Sequence, residues 1–456
     1  MTDLYNTLCE IVGKDFASNQ KEEIYIYSRD LGAMEPRRVD FVVMPKTTEQ
    51  VQNIVKLANE NKTPIVPMGG GVTTSGLTMP IKGGIVMDLK RMDQIIEVNE
   101  KGRYVILEPG VTEGQLKSYL EKNHPSLRHS MPDAPPIASV TANALVHGSG
   151  HLSQRYGFHS EMINGMEVVL PTGEIVKVGS CSVSSFWFSR APLPDLAGLF
   201  IGWYGTTGIV TKLSFRLYPK EKKKDLLAFM TKNPGLIPEI WFEITQLEIA
   251  EDIASMYYPS LFQDFIFGYL CVTGNSDEEI TFKRKCILDI FKKYDQRDDF
   301  KFTKVVPLKK LILGIPLVPI TQFADMKRGG GFEYVGPIMP VENYPKAHVL
   351  GLKIASEYDL HYASMVRVIG RSNSMMFGFA FPFNRADPDE VKRAREAIQK
   401  TNEAVIEIGG VPWKADVYGQ QKIIDKMDKN TLLLIKKIRK VLDPNGIMNP
   451  GNLEVE

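Results

Sequence analysis

One stretch, Gly69-Gly70-Gly71-Val72-Thr73-Thr74-Ser75-Gly76, constrains this chain more than any other. It follows a strand–helix–strand unit. Val39–Met44 is β-branched and apolar and ends at Pro45, the pattern of a buried strand. Thr47 with Gln50 has the spacing of a capping box, and Val51, Ile54, Val55 and Ala58 recur at helical intervals. Pro64–Pro67 is a second short strand leading into the glycines. Consecutive glycines let backbone N–H groups turn inward and approach an anion, typically a diphosphate. The spacing matches neither the mononucleotide P-loop nor the Gly-x-Gly-x-x-Gly turn of nicotinamide-binding domains. A plain glycine turn stays open as the alternative reading.

A second cycle follows. Ile85–Leu89, Ile95–Val98 and Tyr104–Leu107 read as strands, and Thr112 with Gln115 offers another capping box ahead of Leu116 and Leu120. Gly165–Gly179 alternates as a hairpin around Pro171-Thr172-Gly173, and Gly208–Pro219 is a further strand. The chain has 456 residues, 43% of them hydrophobic, with 55 Lys+Arg against 54 Asp+Glu. Its length suggests two or three domains. The balanced charge gives no electrostatic reason to expect a nucleic-acid or anionic-membrane partner. The apolar run Leu311–Ile320 is short and holds Pro316 and Pro319, so it does not span a bilayer. No signal-peptide pattern opens the sequence, and a cytoplasmic location is the expectation. Cys9, Cys181, Cys271 and Cys286 form no closely spaced pair, so reduced thiols are expected rather than a zinc or iron–sulfur centre.

Taken in order, VVMPKTTEQVQNIVKLANENKTPIVPMGGG, LEPGVT, GMEVVLPTGEIVKVG, GIVTKLSFRLYP and LDPNGIMNPG resemble the FAD-linked oxidases with an FAD-binding domain of the p-cresol methylhydroxylase (PCMH) and vanillyl-alcohol oxidase type. The resemblance runs over nearly the whole chain. It implies an α+β fold: a two-subdomain PCMH-type FAD-binding domain (1–219), an α+β cap with an antiparallel sheet (220–425), and a C-terminal segment (426–456) returning to the FAD domain. It also implies the FAD contacts. Gly69, Gly70, Gly71, Val72 and Thr73 would form the diphosphate turn, with Ser75 and Gly76 beyond. Pro132, Asp133, Ser139, Thr141 and Asn143 match a second stretch along the cofactor, Gly208, Ile209 and Val210 the backbone at its adenosine half, and Asn449 the C-terminal turn.

In the cap, Lys220–Lys224 reads as a solvated linker. Helices are expected near Glu278–Tyr294, Tyr344–Tyr358 and Pro388–Ile408, and strands near Glu333–Met339, Ala363–Ile369 and Met375–Phe381. GGFEYVGPI (330–338) and YDLHY (358–362) resemble the alkylphenol-oxidising branch. Tyr362 falls where cresol-oxidising members carry a flavin-linking tyrosine, although core packing competes for it. Phe332 replaces a linking histidine and makes no such bond. The branch's phenolate donors are mostly replaced: Ser75, Trp413 and Lys414 stand in the clamp, Phe158 for an aspartate, and Ser374 with Met375 for histidines. The histidine-rich metal motif of the glycolate and D-lactate branch is absent, and no metal is expected. His147 and His151 are four apart but separated by glycines.

What remains is a cationic, aromatic set: Arg371, Lys414, Trp413 and Tyr418, with His361 or Tyr418 as a candidate base. Arg367 is read instead as a surface ion pair. The resemblance implies an FAD-dependent dehydrogenase moving a hydride from an alcohol or hydroxy-acid C–H to flavin, then electrons to an iron–sulfur protein, flavoprotein or cytochrome. Alternatives are a 4-alkylphenol- or aryl-alcohol-oxidising enzyme, an O₂-using oxidase, and a flavin-dependent alkyl transferase or redox-silent subunit. A homo-oligomer stays open.

Overall fold

The expected helix after Pro45 spans Thr48–Asn61, with Thr47 Oγ1 accepting from the Gln50 N–H at 3.2 Å. Only half the capping box forms, because the Gln50 side chain accepts from the Lys46 N–H instead. Val51, Ile54, Val55 and Ala58 are fully buried. The computed structural model describes residues 2–30, 32–73, 75–303 and 329–454. Leu311–Ile320, Thr74 and the Phe332 side chain lie outside the described residues. No described helix is long and apolar enough to cross a membrane.

Among the described residues, three larger sheets form. Strands β1 (Ala17–Ser18), β2 (Phe41–Val43), β3 (Ile65–Met68) and β4 (Ile85–Asp88) lie in the order β1-β2-β4-β3, with β2 and β3 both parallel to β4. The helix Thr48–Asn61 covers this sheet. Ile447 and Met448, from the far end of the chain, complete its core. The Ile65 N–H donates to the Ile447 carbonyl at 2.7 Å, and the Asn449 N–H donates back to the Ile65 carbonyl at 2.7 Å.

The second sheet joins β5 (Ile95–Asn99), β6 (Tyr104–Leu107), β8 (Ile163–Val169), β9 (Ile175–Gly179) and β10 (Ile209–Arg216) in the order β5-β6-β10-β8-β9, all antiparallel. Thr112 and Gln115 make a complete capping box for the helix Glu113–Asn123. β7 (Leu127–Arg128) pairs with β11 (Tyr218–Pro219) at the side.

The third sheet is antiparallel and eight-stranded. It uses β12 (Lys223–Thr231), β13 (Ala250–Tyr257), β14 (Ile266–Gly274), β15 (Phe300–Thr303), β16 (Gly330–Val335), β18 (Ala363–Ile369) and β19 (Ser374–Asn384), in the order β15-β12-β14-β13-β18-β19-β16, with β17 (Ile338–Met339) beside β19. The expected linker is corrected here. The run is largely exposed, as expected, but Lys223 and Lys224 already belong to β12, and Lys220, Glu221, Lys223 and Lys224 pair with Glu121, Arg128, Asp277 and Glu251.

Successive residues of a strand face opposite sides. One face, including Phe229, Leu270, Val366, Phe377, Phe379 and Phe381, packs under the helices Leu236–Thr245, Asp277–Phe291, Tyr344–Glu357 and Pro388–Glu407. The other face is turned toward the FAD-binding half and carries Met365, Arg367, Met376, Gly378 and Ala380. Phe377 is fully buried, its ring 5.3 Å from Tyr344 and 4.7 Å from Phe379. Phe377→Ala is expected to destabilise the cap by about 3–5 kcal/mol, read as an earlier denaturant-unfolding transition.

Candidate active site

Where β3 ends, the backbone of Gly69 and Gly70 is pressed against the segment before the short helix Val140–Leu145. A Cβ at Gly69 would sit 2.8 Å from Ala142 Cβ, and one at Gly70 would sit 2.5 Å from the Ile137 carbonyl oxygen. Gly71 continues the turn at φ +63°. Ser139 caps the helix, accepting from the Ala142 N–H and donating to the Pro109 carbonyl at 2.6 Å. Between these segments and the cap sheet lies a cavity of about 380 Å³, within the range of small-molecule sites.

The cavity wall includes Gly69, Gly70, Gly71, Val72, Thr73, Ser75, Pro132, Asp133, Ser139, Thr141, Asn143, Gly208, Ile209 and Val210, together with Trp413 and Lys414. The cap contributes Tyr258, Tyr334, Met365, Met376, Gly378 and Ala380. The wall fits an extended polar cofactor. The hydroxyls of Thr73 and Thr141, both wall residues, are buried without a protein partner, and a buried polar group left unpaired is costly. A diphosphate or flavin edge would supply those partners, and the side-chain-free glycine turn leaves room for its close approach.

Two residues expected at the cofactor stand behind the wall. The Gly76 N–H is used by Asp30 at 2.8 Å. Asn449 donates from Nδ2 to the carbonyls of Tyr204 (2.7 Å) and Leu77 (3.4 Å), both wall residues.

Four expectations are corrected. Tyr362 is buried on the helix-covered face, its ring over Gly351 and near Phe379 and Phe381. Alternation gives the cavity face to Met365 and Arg367, so no flavin link runs through Tyr362. Arg371 lies in the exposed turn between β18 and β19 and pairs with Glu248 at 3.2 Å. Tyr418 donates to Glu403 on the neighbouring helix, and His361 is exposed ahead of β18. None of the four lines the cavity.

Arg367 is the opposite case. It is 1% exposed, not a surface residue. Its Nε and Nη2 donate to Asp252 at 2.8 and 3.1 Å, and its Nη1 donates to Asp133. Burial alone would raise the Asp133 carboxyl, but Arg367 and His151, 3.1 Å away, hold it well below the usual range. The sequence signal was an arginine at a single position within Met365–Ile369, an otherwise apolar strand whose alternate faces are both buried.

His159 lies one layer behind the wall, on the far side of the loop that carries His147 and His151. It is 1% exposed and bridges Asn143 Oδ1 and Ser130 Oγ, at 2.8 Å each. Its pKa is held well below the ordinary histidine value by burial, reinforced by the neighbouring cations. Trp413 is pinned by donating to the Val146 carbonyl at 2.8 Å, with Lys414 Nζ 4.0 Å from its ring centre. Burial lowers the Lys414 amine to about 8, opposed by the pull of Glu113. Glu113 is itself buried against His129 at 2.9 Å and raised by burial.

Gly70→Ala is expected to yield folded protein with little bound FAD, read from the flavin-to-protein absorbance ratio. His159 and His348, both depressed by burial, refuse in the folded state a proton that the unfolded chain accepts. Stability is therefore full above the unfolded histidine pKa and falls as pH drops below about 6.5, by up to about 1.4 kcal/mol per pH unit for each group. A Tm-against-pH series flattened by His348→Phe checks the sign.

Two family models match: an FAD-binding domain over residues 39–179 and the C-terminal domain of FAD-linked oxidases over residues 340–453. The chain is 28% identical over 442 residues to the mitochondrial D-lactate dehydrogenase [cytochrome] of Arabidopsis thaliana, covering 91% of this chain and 73% of that protein. It is 24% identical over 496 residues to the 4-cresol dehydrogenase [hydroxylating] flavoprotein subunit of Pseudomonas putida, covering 98% and 94%. The crystal structure of p-cresol methylhydroxylase with substrate bound superposes with a TM-score of 0.85 at 22% identity, covering 100% of this chain and 97% of the other. The glycine cradle, the orphaned hydroxyls and these matches converge: the chain belongs to the FAD-linked oxidase family, as an FAD-dependent oxidoreductase with a PCMH-type FAD-binding domain.

Proposed function

We propose that the protein is a dehydrogenase that oxidises the C–H of an alcohol or hydroxy acid and delivers the electrons to a separate acceptor protein. The carrying observation is the polarity of the wall. The cap presents Met365, Met376, Gly378, Ala380 and two tyrosines, and Lys414 is the cationic side chain among the described wall residues. An apolar substrate body fits against the sheet, with its oxygen directed at Lys414. Arg367 does not serve as a second anion seat, because two carboxylates already occupy its donors.

FAD supplies the two-electron acceptor when bound. The chain's own part is to hold it and the substrate together. Gly69–Thr73 and Thr141 would receive the cofactor, the cap sheet would exclude water, and Trp413, fixed by Val146, would keep Lys414 at the wall. Support for an external acceptor comes from relatives named for a cytochrome and for a flavoprotein subunit. The described cysteines are free and scattered.

Anaerobic mixing with a panel of alcohols, hydroxy acids and phenols tests the reading. An alcohol or hydroxy acid is expected to bleach the flavin, and a redox dye or cytochrome to restore it faster than air. Bleaching by phenols alone defeats the substrate assignment. Stoichiometric peroxide in air, formed as fast as dye reduction, defeats the acceptor assignment.

A further inference from the structure

The wall holds few groups able to take a proton, and their partners sort them. Asp133 is committed to Arg367 and His151. The phenol of Tyr204 is buried against the backbone of Ala415 and Lys414 and pushed up to about 12. Tyr334 donates to Met376 Sδ at 2.7 Å and is likewise raised by burial. Tyr258 is a wall phenol with a contact of its own. His159, one layer back, is spent on Asn143 and Ser130. Lys414 differs from all of these. Among the described residues no carboxylate lies within ion-pair distance of its Nζ, whose recorded contact is the Trp413 ring. Glu113, which acts on it from the helix Glu113–Asn123, is already bonded to His129.

Charge bears on the substrate as well. Asp133 and Asp252 against Arg367 leave this wall cluster one negative charge in excess, before any proton on His151. With Lys414 as the free amine, a substrate carboxylate entering the cavity meets that excess. A neutral alcohol does not.

From this geometry we infer that Lys414, as the free amine, is the base of the oxidation, and that the preferred substrate is an uncharged alcohol with an apolar body. The inference rests on the dehydrogenase reading above. In the step, the substrate C–H bond breaks and its hydrogen leaves with the electron pair to the flavin. The O–H bond breaks and its proton passes to Lys414 Nζ, while the C–O bond becomes C=O. The alcohol loses two electrons and two protons in all, and the flavin is reduced by two electrons. An amine buried to about 8 is matched to this work near neutral pH, and its left-handed backbone, φ +52°, holds it in a conformation non-glycine residues rarely adopt.

The test has two arms. In the holoenzyme, the pH dependence of Lys414 acylation by acetic anhydride, followed by peptide mapping, is expected to show a midpoint near 8, well below that of exposed lysines. In anaerobic stopped flow, benzyl alcohol is compared with mandelate, and wild type with Lys414→Ala and Lys414→Arg. Benzyl alcohol is expected to bleach the flavin faster than mandelate, with a rate rising through pH 8. Both variants are expected to bind FAD yet reduce it at least about 100-fold more slowly. Added methylamine restores Lys414→Ala. A midpoint above 10, a Lys414→Arg rate near wild type, absence of amine rescue, or faster bleaching by mandelate overturns the inference and leaves the dehydrogenase reading standing. If no member of the earlier panel bleaches wild-type flavin, that reading falls instead, and acylation still reports the state of the amine.

Discussion

Arg367 is held between Asp252, on the next strand of its own sheet, and Asp133, in the loop that walls the cavity from the other half of the molecule. Taking Arg367 and Asp252 out of water is costly, and such a pair persists only when its donors and acceptors are mutually satisfied, here with Asp133 at the cavity surface completing the set. The planar guanidinium does this by presenting two parallel bonds to Asp252 and a third to Asp133. The contact fixes where the cap sheet stands over the Pro132–Asp133 loop, and with it the spacing of a cavity whose two walls come from different halves of the chain. It also removes Arg367, the one arginine on that face among the described residues, from substrate binding, which leaves the described wall chemically simple.

A second constraint acts at the cofactor end. Gly69 and Gly70 come so near Ile137–Ala142 that only a bare backbone fits. That closeness sets two unpartnered threonine hydroxyls on the same cavity. The two constraints divide the labour: bare backbone and hydroxyls toward the cofactor, methionine and aromatic surface toward the substrate, and, among the described residues, a single amine at the wall.

Local patterns carried most of what was legible. The helix Thr48–Asn61, the strands Tyr104–Leu107 and Ala363–Ile369 and the helix Tyr344–Glu357 depend on spacings of a few residues, and they stand where those spacings put them. Strands β12, β13 and β14 escaped notice because both their faces are largely buried, so the two-residue alternation that betrays a strand is missing. The site was harder. A resemblance places Tyr362 near the flavin, but a difference of one residue in strand register decides whether an aromatic meets the cavity or the helix layer. Arg367 and Asp133 are 234 residues apart in the chain, and nothing local in either tells of the other. The perturbation of Lys414 is a property of burial, which no string of residues displays.

The bond from Asn449 to the Tyr204 carbonyl closes a loop of 245 residues, and Ile447 and Met448 fill the first sheet's core beside it. The glycine turn therefore leaves the ribosome long before the segment that braces its surroundings. The cavity wall near that turn is thus braced by a segment 372 residues further along the chain than Leu77.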